Sequence, residues 1–182
     1  MIHVLVPLAQ GCEELEAITI TDLLVRAGIK VTTAGLDDSP VVASRGITII
    51  PDTQIHNVQD IQFDMVVLPG GLPGADHLRD NTIVQEILQR HADAEKFVAA
   101  ICAAPKALAQ AGLLENKVAT SYPGVLDSLE LKNTQVKNTA LEIDGKIITS
   151  RGPGTAMDFA LKLIELLKGV EKRKEVEAGL VR

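Results

Sequence analysis

Residues 96–105 read Lys-Phe-Val-Ala-Ala-Ile-Cys-Ala-Ala-Pro, an apolar, β-prone run that ends at Cys102 and leads at once into a helical sequence. Ala100 and Ala104 lie two positions before and after Cys102, the spacing of small residues in a nucleophile elbow. Helix-start N–H groups aimed at the sulfur favour the thiolate, which predicts a reactive cysteine. The alternative is a buried cysteine that packs as a small hydrophobic side chain.

Strand-like and helix-like segments alternate around this stretch. The predicted strands are residues 2–7, 30–35, two short strands within 41–50, 63–68, the run before Cys102, 117–120, and a hairpin that turns at Asp144-Gly145. The predicted helices are residues 13–27, 82–90, a segment from 106 onward, 156–168 and 170–178. This alternation predicts an α/β fold with a mostly parallel sheet covered by helices on both faces. Because no linker or repeat interrupts the pattern, we expect residues 1–182 to form a single domain.

Composition excludes several classes of function. The net charge of −6 and the aromatic content of 2% argue against a nucleic-acid partner, which would need clustered cations or stacking rings. The two cysteines, Cys12 and Cys102, are too few for a disulfide framework or a structural zinc site. Residues 1–7 lack the basic start of a signal peptide, and no apolar run has the length of a membrane span. We therefore expect a cytoplasmic protein with no membrane partner.

Three loops follow predicted strands: residues 7–16, 69–74 and 102–105. Parallel sheets bind ligands at the carboxyl ends of their strands, so these loops predict a site around Cys102. Residues 69–74, Pro-Gly-Gly-Leu-Pro-Gly, lack both nucleotide-binding glycine patterns, and no cofactor is expected. Glycines let the backbone amides of such a loop approach an oxyanion closely, which predicts an anion pocket. The alternative is a tight turn that needs glycine only for its backbone angles.

The segment Gly11-Cys-Glu-Glu-Leu-Glu-Ala17 places three acids at a predicted helix start. Glu13 and Glu14 there are expected to complement the helix dipole. Glu16 is expected to turn inward, where proximity to the thiolate would raise its pKa and let it donate a hydrogen bond or transfer protons. His77 is the one histidine placed to act as a base, although surface exposure is the commoner role. No pair of histidines has metal-ligand spacing, so no metal site is expected.

Taken together, these residues resemble the ThiJ/PfpI superfamily, in the branch of the parkinsonism-associated deglycase and bacterial YajL. Six ordered motifs along the chain carry the resemblance: residues 11–17, 25–31, 44–46, 68–71, 99–105 and 150–155. The resemblance implies a flavodoxin-like three-layer sandwich, usually a homodimer.

The resemblance also implies roles for particular residues. Cys102 matches the family's oxidation-sensitive nucleophile, and Glu16 matches the protonated glutamate beside it. Gly71, with its neighbour Gly70, and Ala103 match the oxyanion hole. Arg26 and Arg45 match arginines near the dimer interface and the pocket; otherwise they read as a helix-terminus charge and a turn residue.

The chain departs from the family pattern in three places. No histidine occurs in residues 119–123, where Tyr122 is the nearest equivalent, and this disfavours a protease triad. Ile50 stands where some members have an interface cysteine. Cys12 replaces a small residue and reads as a packed side chain or a resolving thiol.

Two functions remain in competition on these residues. The first is a cofactor-independent glyoxalase or deglycase-like enzyme, hydrolase or lyase, acting on a small dicarbonyl or a glycated substrate and linked to oxidative stress. The second is a redox-responsive chaperone or sensor in which oxidation of Cys102 to the sulfinate is the functional event.

Overall fold

A computed structural model describes residues 1–182. The strands are β1 His3–Leu8, β2 Lys30–Gly35, β3 Val41–Val42, β4 Thr48–Ile49, β5 Thr53–Gln54, β6 Met65–Leu68, β7 Phe97–Ile101, β8 Val118–Ala119, β9 Gln135–Val136, β10 Leu141–Asp144 and β11 Ile147–Ser150. The helices are α1 Glu14–Arg26, α2 Gly74–Asp80, α3 Thr82–Asp93, α4 Pro105–Gln110, α5 Ala156–Lys168 and α6 Val170–Gly179. No helix is long and apolar enough to cross a membrane.

The main sheet has seven strands in the order β10-β11-β7-β6-β1-β2-β5. All neighbours are parallel except β10, which pairs with β11 as an antiparallel hairpin. This confirms the α/β fold with a mostly parallel sheet. Because β7, β6 and β1 are adjacent and parallel, the loops that follow them meet at one edge.

Both faces of the sheet are buried, which the apolar strands require. Along β1, Val4 and Val6 enter one core cluster, with residues of α1 and α5, while Leu5 enters the other, with residues of α3 and α4. Successive side chains of a strand point to opposite faces, so one apolar run serves two cores. The helices thereby lie on both sides of the sheet.

Helix α5 and the β10–β11 hairpin lie where the sequence predicts them. Helix α2 is not predicted from the sequence, since it is short and begins at a glycine. Helix α3 continues three residues past the predicted end, to Asp93. The strand predicted at residues 117–120 is reduced to β8, which pairs with β9 outside the main sheet.

His91 is a fully buried member of α3 whose ring makes two hydrogen bonds. Its Nε2 accepts from the backbone N–H of Phe63 at 3.0 Å, and its Nδ1 donates to the carbonyl of Ile87 at 2.7 Å. The bond from Phe63 requires the neutral ring, because Nε2 can accept only when it carries no proton. Burial lowers the pKa of His91 below its ordinary value of 6.5.

We predict that the free energy of unfolding falls as pH drops below 6.5 because the unfolded chain binds a proton on residue 91 that the folded chain excludes. His91→Gln keeps an acceptor for Phe63 but cannot titrate, so its stability should change less between pH 7 and pH 5. Urea unfolding of both proteins at several pH values measures this difference. Equal pH dependence in the two proteins would contradict the prediction.

Candidate active site

Cys102 occupies a strained turn between β7 and α4. Its φ is +63°, in the left-handed region that non-glycine residues rarely adopt. The turn is held on both sides, since the Cys102 N–H donates to the Ser150 carbonyl at 2.9 Å and the Cys102 carbonyl accepts from the Tyr122 N–H at 2.8 Å. Strain of this kind costs about 1–3 kcal/mol and persists where surrounding bonds enforce it. The geometry is that of a nucleophile elbow, with Ala100 and Ala104 fully buried on either side.

Gly70 is the contact point between the cysteine turn and the glutamate beneath it. Its N–H donates to Glu16 Oε2 at 2.7 Å. A Cβ at this position would lie 2.7 Å from the Cβ of Cys102 and 2.8 Å from Glu16 Oε2. Only glycine therefore allows Glu16 and Cys102 to approach each other here.

Gly71 is required for a different reason. Its φ is +87°, and a Cβ there would lie 2.3 Å from the backbone nitrogen of Glu13. The two glycines bring the loop after β6 against the start of α1, where the Glu13 N–H donates to the Gly70 carbonyl at 2.9 Å. The backbone amide of Gly71 is thereby brought near the sulfur of Cys102, where the amides of Gly71 and Ala103 act to lower the pKa of the thiol.

Glu16 is completely buried although its carboxyl group has only one backbone donor. Burial raises its pKa to about 7, against the hydrogen bonds from Gly70 and Cys102 that lower it. Its Oε1 receives no hydrogen bond of ordinary geometry. A buried, unpartnered carboxylate oxygen is costly, whereas a protonated oxygen can donate to the sulfur. The surroundings of Glu16 therefore favour the carboxylic acid.

The thiol of Cys102 does not have the low pKa expected from helix-start amides. Burial, the charge of Glu16 and its hydrogen bond to Glu16 raise the pKa of Cys102 to about 12, while the amides of Gly71 and Ala103 lower it. The amides do point at the sulfur, but α4 is only six residues long and burial outweighs them. A thiolate is favoured here only when Glu16 carries the proton, so the two groups titrate as a coupled pair.

Glu13 and Glu14, at the start of α1, also bind a neighbouring turn of the chain through hydrogen bonds. Both are buried, and they hold the turn that contains Ser44 and Arg45. The Ser44 hydroxyl donates to Glu13 Oε2 at 2.8 Å, and the Arg45 N–H donates to Glu14 Oε1 at 2.9 Å. Burial acts to raise the pKa of Glu14, but hydrogen bonds from its own backbone amide and from Ser44, Ile47 and Arg45 lower it below the ordinary value. These bonds add to the dipole role expected at the start of α1.

A pocket of about 280 Å³ opens above Cys102. It brings together five of the residues named from the sequence and five more. The former are Gly71, Cys102, Ala103, Tyr122 and Arg45, and the latter are Glu13, Ser44, Leu72, Val125 and Pro153. Glu13, Ser44 and Pro153 fall in three of the six family motifs, and this membership was the sequence signal that could have pointed to them. The pocket combines a thiol, an acid beneath it, convergent backbone amides and one free guanidinium.

Three other residues of interest lie away from this pocket. Arg26 is half-exposed at the end of α1 and pairs with Asp22 at 2.7 Å. His77 lines a separate cavity with Asp80, so it is not placed beside the thiol. Cys12 is fully buried, and burial raises its pKa to about 11. This burial favours a packed side chain over a resolving thiol. No group of three or more potential metal ligands occurs in the molecule.

Comparison with known proteins agrees with this geometry. A model of the DJ-1/PfpI family matches residues 2–166. The chain is 46% identical over 178 residues to Protein dj-1beta of Drosophila melanogaster, with 97% of this chain and 95% of the relative covered. It is 36% identical over 163 residues to a Caenorhabditis elegans protein named glutathione-independent glyoxalase DJR-1.2, with 90% and 87% covered.

The fold matches solved structures equally well. The structure of oxidized Toxoplasma gondii DJ-1 superposes with a TM-score of 0.95 at 38% identity, over 100% of this chain and 98% of that chain. The flavodoxin-like sandwich implied by the sequence motifs is thereby confirmed. With a family model over most of its length and relatives similar from end to end, the chain belongs to the DJ-1/PfpI family.

Proposed function

We propose that the protein is a cofactor-independent enzyme that converts small reactive dicarbonyls, or their early adducts on amines, to hydroxy acids. The observation that carries this proposal is the buried Glu16 carboxyl next to the Cys102 thiol. A nucleophile and a proton carrier in contact, below convergent amides, are the groups that this chemistry needs. The relative named a glyoxalase supports the same reaction class.

For methylglyoxal the steps balance as follows. The Cys102 thiolate attacks the aldehyde carbon, and the amides of Gly71 and Ala103 stabilise the oxyanion. Glu16 protonates this oxyanion to give the hemithioacetal and is left as the carboxylate. The carboxylate then carries a proton from the aldehyde carbon to the neighbouring carbon, which converts the hemithioacetal to a thioester of lactate. Water cleaves the thioester, releasing lactate and a proton and restoring the thiol. The sum is methylglyoxal plus water to lactate and a proton.

A second candidate is a redox sensor, possible because the same thiol can be oxidised. Two equivalents of peroxide would convert the Cys102 thiolate to a sulfinate and release two molecules of water. The unpartnered Oε1 of Glu16 favours this candidate specifically, because a protonated carboxyl there could donate to a sulfinate oxygen. The output would be chaperone-like protection or partner binding in a cytoplasmic stress response.

We predict that Cys102→Ala abolishes lactate formation and that Glu16→Gln lowers kcat by at least about a hundredfold, since general acid–base catalysis contributes that much. Lactate released from methylglyoxal measures both effects. Cys12→Ala is the matched control, because it removes the other buried thiol outside the pocket and should keep activity. Full turnover by Glu16→Gln would contradict the proton-carrier role.

Protection of a client protein from aggregation, measured alongside turnover, separates the two candidates. If Glu16→Gln and Cys102→Ala still protect a client from aggregation while turnover is lost, protection does not depend on the reaction. If oxidation of wild-type Cys102 switches protection on, the sensor is the better description.

The coupled titration gives an independent prediction for the thiol. Glu16→Gln removes the negative charge that raises the pKa of Cys102, so the midpoint of thiolate formation should shift to lower pH. Iodoacetamide alkylation rates across pH 5 to 10, in a Cys12→Ala background, follow the growing thiolate fraction and so report a shift of the midpoint even where the wild-type midpoint lies above this range. Faster alkylation at neutral pH together with lost turnover would assign Glu16 to proton transfer. An unchanged or higher midpoint would contradict the coupling.

We also propose that two copies pair through an apolar stripe on α1. Leu15, Ile18 and Val25 recur at helical spacing on its outer face and are at least half exposed. Exposed Ile47, in the neighbouring turn between β3 and β4, and exposed Ile50, directly after β4, add to this surface. Glu14 joins α1 to the turn by accepting from the Arg45 N–H. Arg26, at the end of the same helix, would lie near such an interface.

Accordingly, Leu15→Asp combined with Ile18→Asp should yield a monomer, because burying two carboxylates at an apolar interface is costly. Sedimentation equilibrium measures the mass of each variant. Val170→Asp is the control, since Val170 is equally exposed but begins α6. A monomeric wild-type protein would rule out the pairing.

A further inference from the structure

A second cavity of about 310 Å³ adjoins the Cys102 pocket. Its polar lining comes from Ser121, Asp127, Lys137, Asn138 and Arg151, and we call it the Lys137–Arg151 pocket. The two cavities share two chain segments. Residues 121 and 123 line the second cavity while residue 122 lines the first, and residue 151 lines the second while residue 153 lines the first.

The ring of Tyr122 packs against the chain between the two cavities. A Cβ on Gly152 would lie 3.3 Å from Cδ2 of Tyr122, so the ring lies on the backbone of residue 152. The Lys137–Arg151 pocket and the pocket above Cys102 share no lining residue.

The charges in this pocket are unusual for the chain. The chain has 18 Lys and Arg residues and 24 Asp and Glu residues, and most of the cationic side chains form an ion pair with an acid. Others bind backbone carbonyls, as Arg90 and Lys168 do, or cover an aromatic ring, as Lys146 does. Four cationic side chains have no such partner: Lys30, Arg45, Lys137 and Arg151. Two of the four line this one cavity.

The single acid in the lining does not neutralise the pair. Oδ2 of Asp127 accepts from the N–H of Gly124 at 3.1 Å and forms no ion pair with Lys137 or Arg151. The lining thus carries two free cations against one carboxylate that is engaged by its own loop. A guanidinium and an ammonium on residues that line one polar cavity are groups that bind oxyanions.

We propose that the Lys137–Arg151 pocket binds an anion, the phosphate or carboxylate group of a small molecule. Arg151 offers planar paired donors and Lys137 a point charge, and the amide of Asn138 supplies a neutral donor. The site is independent of the chemistry proposed at Cys102, because none of its lining residues belongs to that pocket.

The test is a nuclear magnetic resonance titration of the isotope-labelled full chain with inorganic phosphate and, separately, with acetate at constant ionic strength. Amide signals of residues 137, 138 and 151 should shift with saturation. Lys137→Gln and Arg151→Gln should each weaken binding about threefold to tenfold, the range for one charged hydrogen bond partly exposed to water. Asp127→Asn should strengthen it, because the repelling charge is lost.

Two control variants separate this site from other sources of anion binding. Arg45→Gln removes the free cation of the Cys102 pocket, and Lys132→Gln removes an exposed lysine that pairs with Glu115. Neither should change the affinity. The side chains of Lys137 and Arg151 make no hydrogen bond, so their variants should keep the wild-type fold, which the unaffected amide signals and thermal unfolding verify.

The outcomes divide clearly. Tighter binding of phosphate than acetate assigns the site to phosphate-bearing ligands, and the reverse assigns it to carboxylates. Binding that survives in the double variant Lys137→Gln/Arg151→Gln, or that disappears in Arg45→Gln, overturns the proposal. Absence of saturation with either anion also overturns it.

Discussion

The buried contact between Glu16 and Cys102 is the constraint on which the rest of the site depends. An acid with no exposed surface and a thiol at a strained turn can approach only because residue 70 has no side chain. Burial raises the pKa of both groups, and the charge of Glu16 raises the pKa of Cys102 further. Whether Glu16 carries its proton therefore determines how readily the sulfur becomes a nucleophile.

The parallel sheet supplies the geometry of that contact. Adjacent strands β7, β6 and β1 deliver the cysteine turn, the glycine loop and the start of α1 to one edge. Backbone bonds from Cys102 to Ser150 and Tyr122 then hold the turn in its left-handed conformation. Strain at the nucleophile is thus balanced by the strand and loop on either side of it, which is why the position needs a rigid sheet behind it.

Charge is distributed unevenly around this edge. The chain is acidic overall, yet three of its four free cations, Arg45, Lys137 and Arg151, line the two cavities here. Glu13 and Glu14 hold the backbone beside Arg45 without pairing with its guanidinium. The two cavities therefore hold unpaired cations beside the acids Glu13 and Asp127. These carboxylates accept hydrogen bonds from Ser44 and Gly124, and the cations are left free to contact a small anionic ligand.

Several features could be predicted from the sequence alone: the alternating strands and helices, the bounds of α5, the hairpin at Asp144-Gly145, and the cysteine turn with its small flanking residues. These features depend on periodicity and local backbone geometry. Helix α2 could not be predicted, because its seven residues carry too weak a pattern, and neither could the hydrogen bonds of Glu13 and Glu14. The ionisation of Cys102 depends on the folded structure. Its pKa is set by burial and by Glu16, 86 positions earlier in the chain, and local sequence carries no record of such long-range desolvation.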